Sequence, residues 1–172
     1  ESITLPSSLK TLGKNVFQGC TALKSITIPG NVTSLPDNLF DGCTSLASVT
    51  LHEGVTTLGK YIFRGCTSLE SIDLPSKLTY LGTYTFQNSG LTSVTIPAGV
   101  KHLSLGKTSS AASGTHKVYT FANCTDLVSV TFNEGLETMG RFVFSGCTSL
   151  ESVKLPSSLY CMDRENFSNS GL

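Results

Sequence analysis

Charge is scarce in this sequence. Only 14% of its 172 residues are Asp, Glu, Lys or Arg, and 12 basic residues balance 12 acidic ones. A nucleic-acid binder needs a net basic face, so that class finds no support. Apolar runs are short as well, and none approaches the roughly 18 residues that cross a bilayer. No stretch reads as a signal peptide. Cysteine never occurs as a C-x-x-C pair, so zinc has little support. The three histidines, His52, His102 and His116, share no metal-ligand spacing. Acid, base and nucleophile are not grouped in any catalytic pattern, and neither an enzyme nor a cofactor is expected. Leu105-Gly-Lys-Thr108 ends like a phosphate-binding loop, but position 101, where that motif needs Gly, is Lys.

What is present is a repeat. Phe recurs at Phe17, Phe40, Phe63, Phe86, Phe121, Phe144 and Phe167, in steps of 23, 23, 23, 35, 23 and 23. A second column opens one phrase six times: Leu23-Lys-Ser-Ile-Thr-Ile28, Leu46-Ala-Ser-Val-Thr-Leu51, Leu69-Glu-Ser-Ile-Asp-Leu74, Leu91-Thr-Ser-Val-Thr-Ile96, Leu127-Val-Ser-Val-Thr-Phe132 and Leu150-Glu-Ser-Val-Lys-Leu155. This is L-x-x-L-x-L with β-branched substitutions, inside the leucine-rich-repeat period. Alternation of apolar and polar residues makes each phrase a strand with one face inward. Pro at 6, 29, 75, 97 and 156 ends the strand at a corner. A shorter alternating piece such as Val32-Thr-Ser-Leu35 predicts a second small strand. Gly13, Gly59, Gly82 and Gly140 then suit a turn at positive φ. The stretch from Lys14 to Cys20 has room for about one turn of 3₁₀ or α-helix carrying Phe inward.

One coil cannot bury its own apolar stripe, so coils must stack. The expected fold is a β-rich α/β solenoid, a right-handed superhelix of about seven coils of 22–23 residues over residues 1–172. Opening at Glu1 and stopping at Leu172 are both mid-repeat, which predicts a fragment of a longer protein. Aligning Leu103 with Leu35 and Phe121 with Phe40 leaves 13 extra residues within 104–117. Their Ser/Gly/Ala-rich composition predicts an exposed loop, either neutral or part of a binding edge.

Five cysteines, Cys20, Cys43, Cys66, Cys124 and Cys147, share one slot, while Cys161 lies outside it. Three in a row cannot pair off between neighbours, so a buried ladder of reduced thiols beside the Phe column is expected. Outward residues of the main sheet form three columns. Lys24, Glu70 and Glu151 belong to the first. The second is Ser throughout, and the third contains Thr27, Thr50, Asp73, Thr95, Thr131 and Lys154. Such a hydroxyl face suits weak multivalent contact, although aromatic anchors are missing from it. Tyr80, Tyr84 and Tyr119 cluster near the insertion in this reading and make a rival binding edge. Asn31-Val-Thr33, Asn123-Cys-Thr125 and Asn166-Phe-Ser168 are glycosylation sequons of a kind that chance supplies in a chain rich in Ser and Thr.

The phrase around Phe40-Asp-Gly-Cys-Thr-Ser-Leu46, repeated at Phe63–Leu69 and Phe144–Leu150, resembles the BspA-like (Treponema pallidum-type) class of leucine-rich repeats. That resemblance implies surface-exposed, non-catalytic proteins of mucosal bacteria and some parasitic protists. It implies adhesion to host extracellular matrix proteins, host cells or other microbes, and carries no specific binding residue. The rival readings are a structural spacer and a carbohydrate-binding module.

Overall fold

The structure, a computed structural model, describes residues 1–103 and 117–172. Those residues contain twelve short strands: β1 (Ser2–Ile3), β2 (Ser25–Thr27), β3 (Ser34–Leu35), β4 (Ser48–Thr50), β5 (Thr57–Leu58), β6 (Tyr80–Leu81), β7 (Ser93–Ile96), β8 (His102–Leu103), β9 (Ser129–Phe132), β10 (Thr138–Met139), β11 (Ser152–Lys154) and β12 (Cys161–Met162). Every pairing is parallel and joins equivalent residues of successive coils, such as Ser25↔Ser48, Ile26↔Val49 and Thr27↔Thr50. The result is a parallel β-solenoid of about six turns. Seven Phe positions bound six intervals, and each interval is one turn, which corrects the expected seven coils.

Two rows of strands run along the solenoid. The main row is β1-β2-β4 followed by β7-β9-β11. The second row is β3-β5-β6 followed by β8-β10-β12. Between the rows sits the proline corner, where Val32, Leu78 and Val100 donate their N–H groups to the carbonyls of Pro29, Pro75 and Pro97 at 3.0, 3.0 and 3.1 Å. His52 occupies the same slot and makes the same turn, accepting from Val55 at 3.0 Å.

The predicted strand at 69–74 does not form. Residues 70–74 form no strand, although the Glu70 carbonyl still accepts Thr92 N at 3.0 Å, and the main row splits into two three-stranded halves there. Leu69 and Ile72 nevertheless stay buried. Asp73 stands where this column otherwise holds Thr or Lys, and Asp is depleted from strands.

No helix occurs among the described residues, so the α/β part of the expectation is corrected. The reason lies in the backbone. Asn15 (φ 63°) and Gly19 (φ 70°) are left-handed on either side of Phe17, which a right-handed helical turn forbids. The Phe amides do not bond within a helix either. They cross to the next coil: Phe17 to Leu39 O at 3.1 Å, Phe40 to Ile62 O at 3.0 Å, Phe63 to Thr85 O at 2.8 Å. Each turn thus adds a third row of inter-coil hydrogen bonds.

Positive φ also falls at other glycines than expected. It occurs at Gly19, Gly42, Gly65 and Gly146, before the cysteine slot, and at Gly135, and not at Gly13, Gly59, Gly82 or Gly140. Gly82 serves close approach instead, because a Cβ there would collide with the carbonyl of Gly59 in the coil before.

The core is one cluster running the length of the solenoid. Its spine is the Phe column, whose rings stack at centroid distances of 5.3 to 5.7 Å, with planes 5° to 12° apart. Phe86 meets Phe121 at 5.3 Å, so the coil register is kept across the insertion. Residues 104–116, which hold nearly all of the insertion predicted within 104–117, lie outside the described residues. Phe167 is only partly buried, as an end coil is covered on one side only.

Candidate functional site

The main row sets the first candidate surface. Period-two alternation points Ile26, Val49, Val94 and Val130 into the core and leaves Ser and Thr outside. Lys24, Thr27, Thr50, Glu70, Asp73, Thr95, Thr131, Glu151 and Lys154 are all exposed there. Parallel pairing aligns Ser93 with Ser129 and Thr95 with Thr131. These hydroxyls differ from several that bond between coils. Thr56 and Thr79 donate to the carbonyls of Thr33 and Thr56, one coil away, at 3.4 and 3.2 Å. Ser76 and Ser157 bond the carboxylates of Glu53 and Glu134, again one coil away. The hydroxyls of Ser25, Thr27, Ser48, Thr50, Ser93, Thr95, Ser129 and Thr131 have no such partner among the described residues. Two shallow grooves lie on this face. One, of about 430 Å³, runs past Ser25, Thr27, Ser48 and Thr50. The other, of about 490 Å³, sits at the break in the row and is lined by Asp73, Ser93, Thr95 and Thr131.

The opposite edge of each coil, two residues before the core Phe, carries a second candidate. Tyr61, Tyr84, Tyr119 and Phe142 form an outer stack at 4.7, 5.3 and 4.9 Å. Tyr84 and Tyr119 thus meet as the sequence suggests, but Tyr80 does not join them. It lies in β6, exposed on the second row. Tyr61 and Phe142 escaped the sequence reading, although their place two residues before Phe63 and Phe144 was a usable signal. Burial raises the Tyr84 pKa, and the neighbouring Tyr61 and Tyr119 hydroxyls add to the shift.

The cysteine slot lies between core and turn. All six cysteines are free. The Cys43 thiol donates to Phe17 O at 2.9 Å, Cys66 to Phe40 O at 3.2 Å, Cys124 to Phe86 O at 3.0 Å and Cys147 to Phe121 O at 3.1 Å. Ser89 takes the slot in the coil that lacks Cys and lies 3.4 Å from the Cys124 sulfur. Cys20 is half-buried at the end of the column. Burial pushes the Cys43 and Cys124 thiols up to about 11 and Cys147 to about 12, and Cys66 moves the same way. Thiolate is the reactive form, so these groups are inert at neutral pH. A thiol reagent is expected to modify only Cys20 and Cys161 in the native protein, and all six after denaturation. An unfolded thiol ionises near 9.0. Above that pH the unfolded chain releases protons that the folded chain keeps. Stability is therefore undiminished below pH 9 and falls as pH rises from there toward 11. Denaturant midpoints measured across that window test the shift.

Among the described residues no group of His, Cys, Asp and Glu could hold a metal ion. Nor do they contain a helix long and apolar enough to cross a membrane.

A family model, the BspA type leucine-rich repeat region, matches six copies over residues 1–109 and 114–172. The chain belongs to the BspA-type leucine-rich-repeat family. Solved structures agree with the architecture. A leucine-rich repeat protein from Treponema pallidum is 27% identical at a TM-score of 0.78, over 94% of this chain and 72% of that one. A leucine-rich repeat protein from Bacteroides ovatus is 26% identical at a TM-score of 0.69, over 94% of this chain and 45% of that one. Another, from Eubacterium ventriosum, shares the fold at 24% identity and a TM-score of 0.60, over 87% of this chain and 43% of that one. The chain thus spans less than half the length of two of these three proteins. No curated protein matches it. A BspA-type solenoid is a repeat scaffold of the kind that mediates protein–protein contact.

Proposed function

We propose that this BspA-type domain is a non-catalytic interaction module of the cell surface, which binds extracellular-matrix or cell-surface macromolecules through the outward face of its main strand row. One observation carries the reading. The Ser and Thr hydroxyls of that face are aligned coil to coil and lack protein partners among the described residues, whereas several others, such as those of Thr56, Thr79, Ser76 and Ser157, are spent between coils. Both grooves open on the same face. A polar face without large anchors supports many weak contacts, and multiplying them along a solenoid yields avidity. Its cell-surface setting is supported by family membership.

The test is binding of the 1–172 domain to a panel of immobilised extracellular-matrix proteins. Saturable binding to at least one of them is expected, weak for the single domain and stronger when the domain is presented in multiple copies. Absence of binding to every matrix protein and to host cells would favour a spacer instead.

A further inference from the structure

The slot two residues before each core Phe has a fixed backbone. Its occupants Asn15, Asn38, Tyr61, Tyr84, Tyr119, Phe142 and Glu165 all have φ between 48° and 63°. Asn tolerates this left-handed region better than most residues, whereas bulky side chains are strained there. Four successive coils nevertheless place an aromatic ring in the slot. Stacking returns part of that energy at three pairs. Three stacked pairs set against four strained residues offset the strain only in part, and the rings remain half-exposed. Fold stability is therefore a weak reason for aromatics where Asn is already suited.

The surface around the stack has one chemical sense. Arg64 lies 4.6 Å over the Tyr61 ring at one end, and Arg141 5.0 Å over Phe142 at the other. The Lys117 ammonium stands 6.0 Å from the Tyr119 centroid and 5.7 Å from that of Phe142. The adjacent carboxylates are committed. Asp41 accepts both Arg64 Nε at 2.8 Å and its terminal nitrogen at 2.6 Å, and Glu165 accepts Arg141 at 2.9 Å. Lys117 has no carboxylate within ion-pair distance among the described residues, and the three tyrosine hydroxyls have no hydrogen-bond partner there. Because the rings cover one another's faces, they turn their positive edges outward. Phenol hydroxyls, ring edges and the Lys117 ammonium all favour an anion. Tyr and Arg are also the residues that dominate interface energetics.

We propose that the outer stack Tyr61–Tyr84–Tyr119–Phe142, with Lys117, is a second docking surface, and that its occupant is an extended acidic segment of a protein partner. The four rings span roughly 15 Å, which about five residues of extended chain cover at ~3.3 Å each. Alternate carboxylates of such a segment meet hydroxyls and ammonium along the ladder. This surface is independent of the main-row face.

The slot itself supplies a clean test, because Asn is its native occupant at positions 15 and 38. Binding of a fluorescent poly-glutamate peptide is measured for the 1–172 domain, for the double variant Tyr84→Asn/Tyr119→Asn and for Lys117→Glu. The domain is expected to bind poly-glutamate, less tightly as salt is raised, and to ignore poly-lysine. The double variant should keep its thermal midpoint within a few degrees and lose affinity about tenfold or more, and Lys117→Glu should abolish binding. Matrix-protein binding through the main row should survive both changes. The proposal is overturned if poly-glutamate does not bind, if the folded Asn variant binds it as well as the parent, or if heparin binds through these residues and poly-glutamate does not, which would assign the stack to an anionic glycan.

Discussion

Phe63→Ala lowers the stability of the solenoid by about 3–5 kcal/mol, the range for emptying a buried aromatic site. Phe63 has no exposed surface and is covered on both faces, by Phe40 at 5.7 Å and Phe86 at 5.4 Å. Its backbone is fixed from two directions as well. The amide bonds Thr85 in the next coil at 2.8 Å, and the carbonyl accepts Cys66 N at 3.2 Å. Such a site cannot collapse without moving two neighbouring coils, so most of the cavity term persists. For a chain of this size the loss corresponds to a fall in thermal midpoint on the order of 10 °C. Phe167→Ala should cost less, because that ring has one stacked neighbour. An unchanged midpoint for Phe63→Ala would show that the Phe column does not hold the coils together.

Those same positions show what sequence reading can reach. The Phe, Leu and Ser columns were legible because each recurs at a fixed step, and stacking turns a sequence period into a row in space. Leu103 and Phe121 could be aligned across the insertion for that reason. The turn around Phe17 was misread as helical because local spacing permits one helical turn there. What decides the matter is non-local: the amide's acceptor, Leu39 O, lies in the next coil. Positive φ was assigned to the wrong glycines for a related reason, since Gly82 answers to the backbone of Gly59 rather than to its own turn. The break at 70–74 rests on one substituted column position, Asp73, in an otherwise matching phrase. On the turn edge, proximity to the insertion suggested Tyr80, Tyr84 and Tyr119, but slot identity is what groups Tyr61, Tyr84, Tyr119 and Phe142. The partnerless hydroxyls of the main row were not legible, because composition cannot tell a Ser that bonds the next coil from one that faces solvent.

Replacing Ser93 and Thr131 together by Arg is expected to abolish matrix binding while leaving the fold intact. Both residues are exposed, line the larger groove and have no hydrogen-bonded partner among the described residues. Exposed substitutions away from caps, cores and charge networks change stability by only about 0.5 kcal/mol either way. Two long side chains standing across the aligned columns block the face that a partner must approach, and they also remove two hydroxyls from the array. The variant at Tyr84 and Tyr119 leaves this face untouched and serves as the matched control. The decisive measurement is therefore matrix-protein affinity of the Ser93→Arg/Thr131→Arg domain beside the parent and that control, with thermal midpoints recorded for all three. The expected result is loss of binding in the Arg variant alone, at an unchanged midpoint. Full affinity in a folded Arg variant would contradict the assignment of recognition to the main strand row.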